Sequence, residues 1–290
     1  MSRAPFLRLM APLMSIVIVS SACTLWPSGQ GMAEPTRDRT PQASDAASSL
    51  NPSPEGTPAG DTREERVVST RPHEATDVEA AYVVDPQNYT LKPKDPDGDT
   101  HVVLITVDDA PRGDSTEKLL DLFDRYHVRA IWFLNGIYAV KHPELVKKIV
   151  EHGHLLGNHT WSHPKLRTLD DATTVKEIVG LNDWIERTVG VRPAFFRPPY
   201  GMMSDTAKAV VAQEQMQMMN WSVGSRDWEL KDVSAISREV LDHAGPGANI
   251  LFHDKPVTAE AMETILKTLS ERGYRFPAPE APNAKVAAGP

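Results

Sequence analysis

Two short stretches hold side chains able to do chemistry together. "GNHTWSHPKL" carries His159 and His163, four residues apart. On a helical turn that spacing sets both imidazoles on one face, within reach of a single ion. "HVVLITVDDAPRG", residues 101–113, runs an apolar stretch straight into adjacent carboxylates, Asp108 and Asp109. Two histidines and one carboxylate make a three-ligand metal site with positions left open for water and substrate. Taken alone, two Asp residues shortly before Pro111 are ordinary turn chemistry, and a lone histidine pair is a common coincidence on a surface helix. Together they raise the question of why a core strand ends on two charges that repel. The chain has one cysteine, Cys23, so no intrachain disulfide or cysteine-based zinc cluster can form, and any metal falls to His, Asp or Glu.

These residues need a frame that brings them together. From His101 onward, strand-like apolar runs alternate with amphipathic helical patterns. The pattern predicts strands at 102–107, 130–134, 154–158, 194–197, 217–223, 249–253 and 274–276. Between them it predicts helices at 114–126, 143–152, 171–189, 204–214, 233–243 and 258–272. Asp114 and Glu117 resemble a capping box for the first helix; Pro143 opens the second and Gly153 closes it. Such alternation makes an α/β fold with a parallel sheet and crossover helices, either an open doubly wound sheet or a closed barrel. Asp108, Asp109, His159, Arg197, Asp227 and His253 all fall at or just past the C-terminal ends of predicted strands. That is where a β/α barrel carries its chemistry, which makes the barrel the preferred reading.

The chain has 290 residues, 40% of them hydrophobic, enough for one good-sized core or two small ones. A net charge of -8 speaks against a nucleic-acid partner. "MSRAPFLRLMAPLMSIVIVSSAC" has Arg3 and Arg8, an apolar run from Leu9 to Val19, then small residues. This reads as an export signal over residues 1–23, too short to span a bilayer, and predicts a periplasmic or cell-envelope protein. Cys23 directly after "VSSA" resembles a lipobox and would be the lipidation site, the sole link to a membrane. Ser20 stands where such a motif usually has Leu, and cleavage after Ala22 or Ala33 without lipid is the alternative. Residues 24–90 are grouped as a linker; their Pro, Ser, Thr, Ala, Gly and Asp content predicts a mostly disordered tether, with 78–99 a transition at the domain edge. Residues 98–279 are the folded domain and 280–290 a flexible tail.

"TVDDAP", "HTWSHP", "FRPPYG", "WSVGSRDW" and "LFHD", in this order and at these intervals, resemble the five motifs of the NodB-homology polysaccharide deacetylases, carbohydrate esterase family four. The resemblance spans roughly residues 100–277. It implies a deformed (β/α)7 barrel that removes N- or O-acetyl groups from a polysaccharide such as peptidoglycan or a chitin-like N-acetylglucosamine polymer. It also implies a divalent metal, zinc by preference, with cobalt or nickel suited to the same ligands. Carried over by position, the resemblance makes Asp109, His159 and His163 the metal ligands and Asp108 the general base, with Arg197 paired to Asp108. The backbone N–H of Tyr200 would stabilise the oxyanion, His253 would be the general acid and Asp227 would orient it. Leu251 and Trp228 would wall the acetyl pocket. Each has a duller reading: Arg197 on a rigid loop, Asp227 and Trp228 in a turn, Leu251 in the core. Three positions depart from the family: Val107 for Phe, Ala110 for Gly, and Gly224 for the first Asp of a D-x-x-D-W pattern. Gly224 keeps open a carbohydrate-binding envelope lipoprotein of the same fold without turnover; an amidase of small non-sugar amides is a third reading. Trp132, Trp161, Tyr200, Trp221 and Trp228 fall near the expected mouth, where stacking on sugar faces would suit them; Trp132 and Trp221, within predicted strands, equally read as core. His154 receives no task, and His73, His101, His127, His142, His152 and His243 are read as incidental.

Overall fold

A computed structural model of the chain describes residues 81–282. The export signal, Cys23 and the linker up to residue 80 lie outside the described residues, as does the tail beyond 282.

In chain order the elements are β1 (Tyr82–Val84), β2 (Leu91–Pro93), β3 (Val103–Ala110), α1 (Asp114–Arg125), β4 (Ile131–Leu134), α2 (Gly136–Ala139), α3 (Pro143–Glu151), β5 (Leu155–Asn158) and α4 (Asp171–Val189). There follow β6 (Phe195–Phe196), α5 (Asp205–Gln213), β7 (Gln217–Met218), β8 (Val223–Gly224), α6 (Val233–His243), β9 (Ala248–His253) and α7 (Pro256–Glu271). Seven strands form one parallel sheet in the order β7-β6-β5-β4-β3-β9-β8. The sheet curls with helices outside it, the deformed barrel that the motif resemblance implies.

β3 explains how one strand serves both core and site. Val103, Ile105 and Val107 pack into the outer layer with the helices, while Val102 and Leu104 join Ile131, Phe133 and Phe195 in a second apolar cluster. With a period of two, Thr106 and Asp108 continue that second face. The column Val102, Leu104, Thr106, Asp108 thus passes from apolar to charged toward the strand's C-terminal end. Gly157 on β5 is needed here: a Cβ would stand 2.4 Å from the buried Phe133 ring on the neighbouring strand.

The predicted strand at 217–223 is corrected to two. β7 pairs with β6 at one edge of the sheet and β8 with β9 at the other, with Met219–Ser222 carrying the chain between them. Alternation of residue types is local and does not reveal a chain that changes edges. The segment at 274–276 makes only an isolated bridge, Val102 to Arg275. Trp221 lies outside any strand and is half-buried, whereas Trp132 is fully buried. The capping box at Asp114 does not form: Gly113 is the N-cap, without a side-chain cap bond. Instead the Ser115 and Thr116 hydroxyls both donate to buried Asp254 at 2.5 Å, giving the helix an anion supplied from β9. The short helix α2 has no counterpart in the sequence pattern, and α7 starts at Pro256 rather than 258.

Residues 81–90, assigned to the linker by composition, are also corrected: β1 and β2 form an antiparallel hairpin. Tyr82, Val84 and Leu91 are buried in the inner cluster. The hairpin bonds to the edge strand β7 and to β9 near the other end of the sheet, with Gln217 donating to the Val84 carbonyl (2.8 Å) and Asn249 to the Tyr89 carbonyl (3.0 Å). Leu91 N–H donates to the carbonyl of Gly247, which is at φ 74°; a Cβ on Gly247 would sit 2.6 Å from the Leu91 oxygen. The tail is likewise attached at its start, since Glu280 N–H donates to Tyr82.

His154, given no task by the sequence, is a core residue against the rings of Phe123 and Trp132. Its Nδ1 accepts from Ala130 N–H, and no described residue pairs with its Nε2. Burial, aided by Arg129 and His152, pushes its pKa from 6.5 to about 3. Only the unfolded chain then takes up a proton as pH falls below 6.5. The contribution is complete above 6.5 and is lost progressively down to about 3, at roughly 1.4 kcal/mol per pH unit in the interval. Urea unfolding of wild type and His154→Leu across that range should therefore give a flatter acid limb in the variant. Parallel limbs would contradict this account of His154.

Candidate active site

The two carboxylates that end β3 need not face opposite ways, because the strand bulges between them. Asp108 is in register with Phe133 on β4, but the next pair is Ala110 with Leu134, leaving Asp109 as the extra residue. Asp109 is left-handed at φ 60°. A bulge of this kind re-aims a side chain at the end of a strand. The cost for a non-glycine residue is about 1–2 kcal/mol, and it recurs at Thr160 (φ 71°), His163 (φ 59°) and Tyr200 (φ 59°). Four of the eight left-handed non-glycine residues among the described residues thus fall in these segments.

His159 and His163 do not lie on a helical turn, as their spacing suggested. They leave β5 in an irregular loop, and the left-handed Thr160 and His163 fold it back so that the rings meet edge to face at 4.9 Å. The loop is held from behind. Asn158 accepts from Thr160 N–H (2.8 Å) and donates to Ile178 O and Asn182, and Thr160 Oγ1 accepts from His163 N–H.

One ligand atom from each of Asp109, His159 and His163 lies within 4.8 Å of the others. The donor chemistry fits a divalent cation. His159 Nδ1 is 2.7 Å from the Arg197 carbonyl, which can only accept; Nδ1 thus carries the hydrogen, leaving Nε2 its lone pair. Burial and His159 hold the His163 pKa below its usual value, favouring the neutral ring a ligand requires. Burial alone would raise the Asp109 carboxyl, but His159, His163 and Arg112 outweigh it and the net shift is downward. Asn135 and Arg112 donate to its two oxygens, both at 3.2 Å.

Asp108 and Arg197 are buried together. Arg197 Nη1 donates to Asp108 Oδ1 (2.7 Å) and Thr106 Oγ1 (2.9 Å), and Nη2 to the Asn220 carbonyl (2.8 Å). The guanidinium lies 4.3 Å from the Phe133 ring centre, filling the barrel at the level where its lining turns polar. Asp108 Oδ2 stands 3.7 Å from His159 Nε2. Arg197 Nε is buried and no described residue pairs with it. At Gly224, where the family pattern has Asp, a Cβ would sit 3.0 Å from the six-membered ring of Trp228.

On β9, His253 is the register neighbour of Asp108. Asp227 accepts from His253 Nδ1, from His253 N–H and from Thr258 Oγ1, each at 2.7 Å. Burial presses the His253 pKa down, but the Asp227 hydrogen bond and charge outweigh it, so the net shift is upward. Trp228 meets the His253 ring edge to face at 5.7 Å and is 42% exposed. Leu251 is buried between its register neighbours Thr106 and Gly224. Tyr200 meets His163 edge to face at 4.8 Å and is exposed.

Every predicted site residue within the described range therefore belongs to this one mouth; Cys23 lies outside it. The sequence reading missed the supports Thr106, Asn135, Asn220, Thr258, Asp254 and Arg112. Asp254 had a visible signal, an acid next to His253 at a strand end; the others become partners only through the fold.

The polysaccharide deacetylase family matches residues 95–239. The chain is 34% identical over 179 residues to a peptidoglycan-N-acetylglucosamine deacetylase of Bacillus cereus, covering 60% of this chain and 65% of that protein. It is 34% identical over 181 residues to the peptidoglycan-N-acetylmuramic acid deacetylase PdaC of Bacillus subtilis, covering 62% of this chain and 38% of that one. The chain thus spans less than two thirds of the length of either relative. Among solved structures it resembles a pseudoenzyme of carbohydrate esterase family four from Bacillus anthracis, at 26% identity and a TM-score of 0.59, covering 63% of this chain and 66% of that one.

Proposed function

The chain belongs to the polysaccharide deacetylase family, and we propose that it hydrolyses N-acetyl groups of peptidoglycan or a chitin-like N-acetylglucosamine polymer. The observation that carries this reading is the convergence of Asp109, His159 and His163 beside the Asp108–Arg197 and Asp227–His253 pairs. The names of the two relatives support it.

Asp109, His159 and His163 would hold a divalent ion, zinc by preference, with cobalt or nickel suited to the same donors. When bound, the ion supplies Lewis-acid polarisation of the acetyl carbonyl and acidifies the attacking water. Asp108, fixed through Oδ1 by Arg197, takes the proton from that water as its oxygen attacks the carbonyl carbon. The Tyr200 backbone N–H donates to the tetrahedral oxyanion. His253 protonates the sugar nitrogen as the C–N bond breaks, releasing acetate and a free amine. Asp227 orients His253 and favours its protonated form. Leu251 and Trp228 bound the space for the acetyl methyl. O-acetyl groups would be cleaved by the same steps, with an alcohol leaving.

The export signal reading and the peptidoglycan substrates of the relatives support a place in the periplasm or cell envelope, with Cys23 as the possible lipid attachment. Gly224, and an Arg197 Nε that has no partner among the described residues, favour a second reading: a carbohydrate-binding protein without turnover, as the likeness to a pseudoenzyme illustrates. Acetate release from an N-acetylglucosamine oligomer, with added zinc and with a chelator, separates the two. Zinc-dependent release supports the deacetylase; oligomer binding without release supports the alternative.

A further inference from the structure

Arg112 steadies Asp109 at this mouth and keeps donor capacity that neither the metal triad nor the acid–base pairs employ. Its backbone is pinned, N–H donating to Thr116 Oγ1 (2.8 Å) and Asp254 Oδ2 (2.9 Å). Its guanidinium lies 4.1 Å from the Tyr138 ring centre, and Nε and Nη2 donate to the Asp109 carbonyl (3.1 Å) and carboxylate (3.2 Å). Three sides of a planar cation are thereby fixed. Among the described residues none accepts from Nη1, and the side chain is 31% exposed. A guanidinium held this way presents a preorganised donor edge of the kind that reads carboxylates.

The surroundings say which ligand profits. Asp108 is met by Arg197, Asp227 by His253, and Asp109 by the cation it would help hold, so Arg112 is left with donor capacity for an anionic sugar. A neutral N-acetylglucosamine polymer offers that edge no charge to pair with. Lys255, whose Nζ lies 3.4 Å from the Asp227 carbonyl, adds a second cation on the neighbouring loop that Asp254 ties to Arg112. Nη2 touches an oxygen of Asp109, so the open edge borders the triad that would hold the metal, and with it the place where an acetamido group would be cleaved. On a hexosamine ring the substituent next to that group is carried on the adjacent carbon.

We propose that Arg112 determines substrate choice by binding a carboxylate carried by an ether substituent on the ring carbon next to the scissile acetamido group, the arrangement of an N-acetylmuramic acid residue. This rests on the deacetylase reading and deepens it. The test compares oligomers of equal length: N-acetylglucosamine only, alternating N-acetylmuramic acid with free carboxylates, and the latter with its carboxylates capped as amides. For wild type the free-carboxylate oligomer should have a KM about tenfold or more below that of the capped one, the size of one charge-assisted hydrogen bond. Arg112→Met should bring the KM values of the two within about twofold of each other, and Arg112→Lys should keep part of the preference; the comparison is made within each variant, so any effect transmitted through Asp109 is common to both oligomers and cancels in the ratio. The proposal is overturned if Arg112→Met slows all three oligomers by one common factor, for then the residue only steadies Asp109. It is also overturned if wild type does not distinguish free from capped carboxylates. Calorimetric binding of N-acetylmuramic acid against N-acetylglucosamine to chelator-treated protein separates this inference from its premise. Preference for the acid, lost in Arg112→Met, upholds the subsite even if no acetate is released; equal binding of both sugars overturns it.

Discussion

Asp108→Asn should lower the rate of acetate release by about 10²–10⁴-fold, the range for removing a positioned general base, while leaving zinc affinity nearly unchanged. Asn keeps an oxygen to accept from Arg197 Nη1, so the buried guanidinium retains its partner and the fold should persist. It cannot accept a proton from water, and Asp108 is not among the three converging ligand atoms. Loss of rate with retained metal is thus the signature of this assignment. A variant within tenfold of wild type would remove Asp108 from the chemistry.

The second large effect falls on the other side of the mouth. Asp227→Asn replaces a carboxylate that accepts three hydrogen bonds, two of them from His253. Its amide end would face a donor, so His253 loses orientation and charge together, at a cost of about 10²–10⁴-fold in kcat/KM. The pH profile carries the sharper expectation. Asp227 is what raises the His253 pKa against burial, and a raised pKa keeps the acid form to higher pH. Removing the carboxylate should move the alkaline limb to lower pH, making the loss greater above neutrality than below it. An unmoved limb would show that His253 is not the group titrating there.

The chemistry-bearing residues were legible because the motifs that contain them are contiguous: the Asp pair, the His pair and "LFHD" can each be read from a few letters. What the letters do not contain is how the chain turns between them. The spacing of His159 and His163 suggested a helix, yet a loop with two left-handed residues brings the rings together. The bulge that re-aims Asp109 is likewise invisible in a run that reads as a plain strand. The strand at 217–223 looked continuous and was divided between two edges, a property of the whole sheet. The hairpin at 82–93 falls in the stretch that reads only as a transition at the domain edge, because the few side chains it buries, Tyr82, Val84 and Leu91, make no clear alternation. Arg112 was passed over because its neighbours, Tyr138 and Asp254, come from distant parts of the chain.

The claim on which the rest depends is that Asp109, His159 and His163 grip one cation. Calorimetric titration of zinc into chelator-treated protein, repeated for Asp109→Ala, His159→Ala and His163→Ala, tests it most directly. One tight equivalent in the wild type, weakened by orders of magnitude in each folded variant, is the predicted result; no binding by the wild type, or binding that survives all three substitutions, would contradict it.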